Sequence, residues 1–230
     1  MALDVPSAAQ ARQIVQTLGE AITTYKIGKQ LFTAEGPEMV RDLVSSGRKV
    51  FLDLKFHDIP NTVAAAVRVA GELSVSMLTV HASGGSKMLK AAVEAANASA
   101  AKPMILAVTV LTSLRDSDLQ EIGLSGNVLS QVLRLGALAR SAGCGGLVAS
   151  AQEALELRRE LGEGFEIVTP GVRPVASQVG DQARVLTPAE AIKAGATRLV
   201  VGRPILEASR PDDEARHILS EIEQALVVRA

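Results

Sequence analysis

Two carboxylates stand around one lysine at a spacing that suits catalysis. The carboxylates are those of Asp53 and Asp58, and Lys55 lies between them in the chain. Since side chains alternate along a strand, Asp53 and Lys55 should share one face while Leu52 and Leu54 share the other. Such an array holds a lysine in its protonated form beside carboxylates that can repel a substrate anion. An ion-pair network with only a structural role is the alternative.

Two further charges fall on short runs that otherwise look like buried strands. Asp4 lies in Leu3–Val5 and Lys26 in Thr24–Ile27. Strands covered on both faces normally read as apolar runs, and buried charges are costly unless they are paired. Because neighbouring predicted strands each carry such a charge, we expect Asp4 and Lys26 to join the Asp53 cluster in a functional site.

A second kind of chemistry is indicated near the C-terminus, by Gly202-Arg203-Pro204. Glycine lets a backbone N–H approach a phosphate oxygen, arginine offers a charged fork, and proline at a helix start wastes no donor. A plain turn between a strand and a helix is the alternative. The loop from Pro170 to about Thr187 is long for such a connection, and loops of that length are usually functional or mobile.

The elements that must position these residues alternate along the whole chain. The predicted strands are Leu3–Val5, Thr24–Ile27, Val50–Leu54, Met77–Val80, Ile105–Thr109, Gly146–Ala149, Glu166–Thr169 and Arg198–Val201. The predicted helices are Ala8–Leu18, Pro37–Ser46, Val63–Glu72, Lys87–Ala98, Val128–Ala142, Glu153–Leu161, Pro188–Ala194 and Asp212–Val228.

Strict alternation of strands and helices predicts parallel strands joined by crossover helices. Eight such units in 230 residues predict an α/β fold, a single (β/α)₈ TIM barrel, with residues 1–230 forming one domain. A doubly wound open sheet is the alternative. It would usually have fewer strands or a glycine-rich fingerprint after the first strand, and the sequence has no such fingerprint. In a barrel, catalytic groups lie at the C-terminal ends of the strands.

Composition excludes several other classes of protein. The net charge is −1 and aromatic residues make up only 2%, so we expect no nucleic-acid partner. No apolar run is long enough for a membrane span, and the N-terminus has no signal-peptide pattern, which predicts a cytoplasmic protein. Cys144 is the single cysteine, and His57, His81 and His217 lie in different segments without metal-ligand spacing. We therefore expect no metal and no cofactor.

The segment Asp53–Thr62, which reads DLKFHDIPNT, resembles the signature of the orotidine 5′-phosphate decarboxylase family. The resemblance extends along the chain through Leu3-Asp4-Val5, Lys26-Ile27-Gly28, Thr79-Val80-His81, Leu111-Thr112-Ser113, Thr169-Pro170-Gly171-Val172-Arg173-Pro174 and Val201-Gly202-Arg203-Pro204-Ile205. It implies a cofactor-independent decarboxylation of orotidine 5′-monophosphate to UMP and CO₂, the last step of UMP biosynthesis.

The resemblance also implies a role for each candidate residue. Lys55 would protonate C6 of the pyrimidine, with Asp53 and Asp58 completing the charged array. The implied substrate-binding residues are Asp4 and Lys26 at the ribose, Thr112 at the pyrimidine, Gly202, Arg203 and Gln182 at the phosphate, and Arg173 in the same loop as Gln182. The family builds its site at a homodimer interface, so Asp58, Ile59 and Thr62 would serve the neighbouring subunit.

The sequence leaves two alternative functions open. One is a sister enzyme that acts on keto-sugar phosphates, a class that shares the Asp-x-Lys-x-x-Asp array but is metal-assisted or lacks the full loop motifs. Three segments favour the decarboxylase over that enzyme: Lys26–Gly28, Ile59–Thr62 and Pro170–Pro174. The other is a nucleotide sensor without turnover, which would have no need of Lys55 between paired carboxylates.

Overall fold

The structure is a computed structural model that describes residues 1–174 and 186–229. Within these ranges, seven strands form one parallel sheet in which each strand pairs with the next along the chain. The strands are β1 (Thr24–Gly28), β2 (Lys49–Phe56), β3 (Met77–His81), β4 (Met104–Val108), β5 (Gly146–Val148), β6 (Glu166–Pro170) and β7 (Arg198–Val200). This order is that of a (β/α) barrel, which confirms the predicted fold class.

The predicted strand at Leu3–Val5 is wrong, because the structure has no regular strand there. The N-terminal segment closes the barrel instead through a few backbone hydrogen bonds. The backbone N–H of Ala2 donates to the carbonyl of Val201 at 2.7 Å, and that of Leu3 donates to Lys26 at 2.9 Å. The N-terminal segment therefore lies between β1 and the end of β7. It cannot extend further as a strand because Pro6 lacks a backbone donor and the first helix begins directly afterwards.

Helices connect the strands. They are α1 (Ala8–Leu18), α2 (Lys29–Glu35), α3 (Glu38–Ser45), α4 (Pro60–Glu72), α5 (Gly85–Ala98), α6 (Asp116–Glu121), α7 (Val128–Ser141), α8 (Ala151–Leu161), α9 (Pro188–Lys193), α10 (Arg203–Leu206) and α11 (Pro211–Arg229). All eight predicted helices are confirmed, with ends that differ by no more than three residues. The sequence did not predict α2, α6 and α10, which are short helices of seven, six and four residues.

Local capping sets where several helices begin. The side chain of Ser7 accepts a hydrogen bond from the Gln10 N–H at the start of α1. Thr187 and Glu190 form a reciprocal capping box at the start of α9. These bonds satisfy backbone donors that the first helical turn leaves without partners.

Apolar side chains fill the middle of the barrel. Phe51, Met77, Leu106 and Val168 form a buried cluster inside the sheet. Phe51 also lines the large cavity described below, so this cluster forms the floor of that cavity. A larger apolar core fills the space between the sheet and the helices. In the part of the chain described, no helix is both long and apolar enough to cross a membrane.

Candidate active site

A cavity of about 530 Å³ opens at the C-terminal ends of the strands. This is the end of the barrel where the loops that follow the strands meet. The predicted site residues that line it are Asp4, Lys26, Asp53, Lys55, Thr112, Arg173, Gly202 and Arg203. Residues from both ends of the chain therefore converge on one site.

Four charged side chains form a continuous row across the cavity. Lys26 Nζ lies 2.9 Å from Asp4 Oδ1 and 3.7 Å from Asp53 Oδ2. Lys55 Nζ donates to Asp53 Oδ1 at 2.8 Å. The side chains of Lys26 and Asp53 are 10% and 13% exposed, while that of Asp4 is 51% exposed. The row alternates in sign, so each charge faces an opposite one.

Asp53 is held in its ionised form by its neighbours. Burial by itself raises the pKa of Asp53. The positive charges of Lys26 and Lys55, with hydrogen bonds from Lys55 and Thr79, outweigh burial and lower this pKa below its ordinary value. Asp53 is therefore a carboxylate at neutral pH, and it presents negative charge to the cavity.

Lys55 reaches the cavity through an irregular stretch of β2. Its backbone φ is +55°, a left-handed conformation that residues other than glycine rarely adopt. The pairing of β2 with β3 shifts register between Leu52 and Phe56, which is a bulge in the strand. Asp53 and Lys55 do share one side, as predicted, but simple alternation is not the reason.

Gly28 and Thr79 support this row, although neither was among the predicted site residues. A Cβ on Gly28 would lie 2.9 Å from Lys26 Nζ and 3.0 Å from Asp4 Oδ1, so a side chain at this position would displace that ion pair. The Thr79 hydroxyl donates to Asp53 Oδ1 at 3.0 Å. The resemblance segments contain both residues, but their contacts depend on three-dimensional proximity.

Asp58, Ile59 and Thr62 do not line the cavity of their own chain. All three are exposed at the start of α4, with Ile59 66% exposed. Asp58 Oδ1 accepts a hydrogen bond from the Ile59 N–H. Within the described residues of one chain, the carboxylate beside Lys55 is therefore that of Asp53, and Asp58 is not part of the charged row.

The other end of the cavity carries the arginines. Arg203 is the first residue of α10, directly after Gly202, and Pro204 occupies the first turn as expected. Arg173 follows β6 and is only 8% exposed, and its backbone N–H donates to Leu186 at 3.0 Å. Gln182, expected at the phosphate, lies outside the described residues.

The three histidines are not among the residues that line the cavity. The rings of His57 and His81 are 5.4 Å apart and tilted by 44°. Burial lowers the pKa of His81, and the charges of His57, Lys29 and Lys55 lower it further against the opposing effect of Asp53. His217 is exposed on α11. Among the described residues, no group of three or more histidine, cysteine or acidic side chains could hold a metal ion.

Comparison with known proteins agrees with this geometry. The chain matches the orotidine 5′-phosphate decarboxylase / HUMPS family over residues 1–218. It is 49% identical over 211 residues to an orotidine 5′-phosphate decarboxylase of Hydrogenovibrio crunogenus, a match that covers 92% of this chain and 89% of the relative. It is 52% identical over 211 residues to the protein of that name from Alkalilimnicola ehrlichii, covering 92% of this chain and 90% of the relative.

A solved structure shows the same architecture. The crystal structure of orotidine 5′-phosphate decarboxylase from Lactobacillus acidophilus superimposes with a TM-score of 0.86 at 36% identity, covering 96% of each chain. The family match spans the strands, the charged row and the arginine end of the cavity. The chain is therefore a carboxy-lyase that belongs to the orotidine 5′-phosphate decarboxylase / HUMPS family.

Proposed function

We propose that this protein catalyses the decarboxylation of orotidine 5′-monophosphate to UMP and CO₂ in pyrimidine biosynthesis, without a cofactor. The observation that carries the proposal is the row of Asp4, Lys26, Asp53 and Lys55 at the cavity, together with Arg173 and Arg203 at its other end. The cavity thus offers an anion site for a phosphate and a lysine held beside a carboxylate for the reacting carbon.

In the proposed step, the bond between C6 and the carboxylate breaks and CO₂ leaves. The electron pair of that bond stays on C6, where it forms a carbanion that no neighbouring π-system in the ring plane can delocalise. Lys55 then transfers a proton from Nζ to C6, which yields UMP and a neutral lysine that regains a proton from water. The ammonium of Lys55 also stabilises the developing charge before the transfer.

Asp53 has two parts in this proposal. It keeps Lys55 protonated and oriented, through the 2.8 Å hydrogen bond. It also places negative charge near the substrate carboxylate, which disfavours the bound substrate relative to the transition state. Two charges about 4 Å apart interact by roughly 4 kcal/mol at an effective dielectric near 20. Enzymes lower barriers by up to about 23 kcal/mol, so repulsion supplies only a part and Lys55 and phosphate binding supply the rest.

The remaining substrate contacts are proposed from the resemblance to the family. Asp4 and Lys26, which line the cavity, would hold the ribose hydroxyls, and Thr112, also in its lining, would contact the pyrimidine. Gly202 and Arg203 would bind the phosphate, with Arg173 close by and Gln182 added from the adjacent loop. Arginine suits this role because its planar fork donates two hydrogen bonds to phosphate oxygens.

We also propose a homodimer in which Asp58, Ile59 and Thr62 complete the cavity of a second copy. All three are exposed and lie outside their own cavity. Ile59 is a large apolar side chain that is 66% exposed, and burial against a second copy would remove it from water. Asp58 would then be the second carboxylate beside the neighbouring Lys55. The proposed compartment is the cytoplasm, since a phosphorylated nucleotide does not cross membranes freely.

The test is the loss of orotidine 5′-monophosphate absorbance with excess chelator and no added cofactor. Conversion to UMP that requires Lys55, and is therefore lost in Lys55→Ala, is the expected result. Tight UMP binding without conversion would instead support a sensor. Activity that the chelator abolishes would support a metal-assisted enzyme for another sugar phosphate.

A further inference from the structure

We infer that Thr79 is a positioning residue that sets the distance between Asp53 and Lys55, an inference that rests on the proposed decarboxylase function. Thr79 lies in the middle of β3 and is fully buried, with 0% exposure. It does not line the cavity, whereas Asp53 and Lys55 both do. Thr79 can therefore affect the reaction only by positioning Asp53 and Lys55.

The reason is the bulge in β2. Pairing runs from Leu52 with Leu78 to Phe56 with Val80, so β2 advances by four residues while β3 advances by two. The backbone N–H of Lys55 falls in this stretch, where regular ladder partners are lost. The Thr79 hydroxyl takes the place of such a partner, because it accepts from the Lys55 N–H at 2.9 Å.

The same hydroxyl also fixes the carboxylate. Its proton is donated to Asp53 Oδ1 at 3.0 Å, the oxygen that also accepts from Lys55 Nζ at 2.8 Å. One oxygen atom on β3 thus holds the backbone of Lys55 and the side chain of Asp53 at once. It supports the left-handed conformation of Lys55, whose φ is +55°, and such conformations persist only when surrounding contacts determine them.

The experiment compares Thr79→Val, Thr79→Ser and wild type in the decarboxylation of orotidine 5′-monophosphate. Valine keeps the branched shape and removes the hydroxyl, whereas serine keeps the hydroxyl. We expect Thr79→Val to lower kcat by about 10- to 100-fold, the effect of one hydrogen bond to a charged group. KM and UMP affinity should stay within about threefold because Thr79 does not face the ligand, and Thr79→Ser should recover most of kcat.

Thr109→Val is the matched control. Thr109 is also buried at the end of a neighbouring strand, and its hydroxyl donates to the carbonyl of Val148 at 2.9 Å. Its loss removes a buried threonine bond of similar length away from the charged row, so kcat should stay near that of wild type. If Thr79→Val does not fold, Thr79→Cys, with its weak thiol donor, should have a kcat below that of Thr79→Ser.

Three results would overturn the inference: wild-type kcat in Thr79→Val, an equal loss in Thr79→Ser, or an equal loss in Thr109→Val. The last two would show a packing effect without a specific role for the hydroxyl. A failure of the proposed function is seen separately, because wild-type protein itself would then leave orotidine 5′-monophosphate unchanged.

Discussion

Replacing Lys26 by methionine should make the stability of the protein depend on pH in a new way. Lys26 Nζ lies between Asp4 and Asp53, and its side chain is only 10% exposed. Methionine has a similar length but no charge. The change leaves Asp53 buried with Lys55 as its neighbouring cation, while burial continues to raise the pKa of Asp53.

The magnitude follows from the distance between the two charges. Lys26 Nζ and Asp53 Oδ2 are 3.7 Å apart. Coulomb's relation with an effective dielectric near 20 gives about 4.5 kcal/mol for this pair. Breaking a buried pair usually costs about 3–5 kcal/mol. Because Lys55 still compensates part of the charge of Asp53, we expect Lys26→Met to lose about 3 kcal/mol of unfolding free energy at pH 7.

The sign of the pH dependence separates electrostatics from packing. In wild type the folded-state pKa of Asp53 is lowered. Its contribution to stability is therefore present above the unfolded value of about 3.9 and is lost as the pH falls through the folded value. In Lys26→Met the folded-state pKa of Asp53 should rise, so protonation relieves the unpaired charge as the pH falls. The difference between variant and wild type should then shrink from pH 7 towards pH 4.

Urea unfolding of both proteins across this pH range measures the effect. Lys49→Met is the control, because Lys49 is an exposed lysine at the start of β2, the strand that also carries Asp53. Its effect should stay within about 0.5 kcal/mol at every pH. A loss in Lys26→Met that is constant with pH would refute the electrostatic reasoning and leave only lost packing.

Three further predictions concern the site. Lys55→Ala and Asp58→Ala should each be inactive, but a mixture of the two should regain activity if copies exchange, because one site per hybrid dimer then has both residues. Activity that stays absent after verified exchange would contradict a shared site. Arg203→Ala should weaken UMP binding by about 10- to 100-fold in calorimetry, since a charged hydrogen-bonding pair is lost, and leave uridine binding unchanged. An unchanged affinity for UMP would show that Arg203 does not bind the phosphate. Gly28→Ala should weaken UMP binding by about tenfold, because the added methyl group displaces the ammonium of Lys26. Gly164→Ala, where a methyl group meets open space, should leave UMP binding unchanged. Equal effects of the two variants would contradict this explanation.

Much of the fold could be predicted because the relevant signals are local. The period of α1 and the serine that caps it are both readable within a dozen residues, and this helix has the predicted bounds, Ala8–Leu18. The N-terminal segment could not be predicted in detail. Its role in closing the barrel depends on the backbone groups of Val201, which lie almost two hundred residues away.

The site shows the same division. The charges of Asp53 and Lys55 were identified because charged residues are unusual in a buried strand. Thr79 gave no such signal, since threonine is an ordinary strand residue and its contact with Asp53 crosses from one strand to the next. Gly28 was missed because its role is the space that it leaves beside Lys26.

The balance of charge in the site explains why such a costly cluster is useful to a decarboxylase. Asp4, Lys26, Asp53 and Lys55 together carry no net charge before substrate binds, and each is paired. In the proposed complex the arginines compensate the phosphate, but the substrate carboxylate meets a row whose lysines are already paired, and Asp58 of a second copy would add another negative charge. The substrate carboxylate then has no counter-ion of its own, and it is the group that the reaction removes. Replacing such a cluster by apolar residues often stabilises a protein. We therefore expect the row to be retained for catalysis, at the expense of stability.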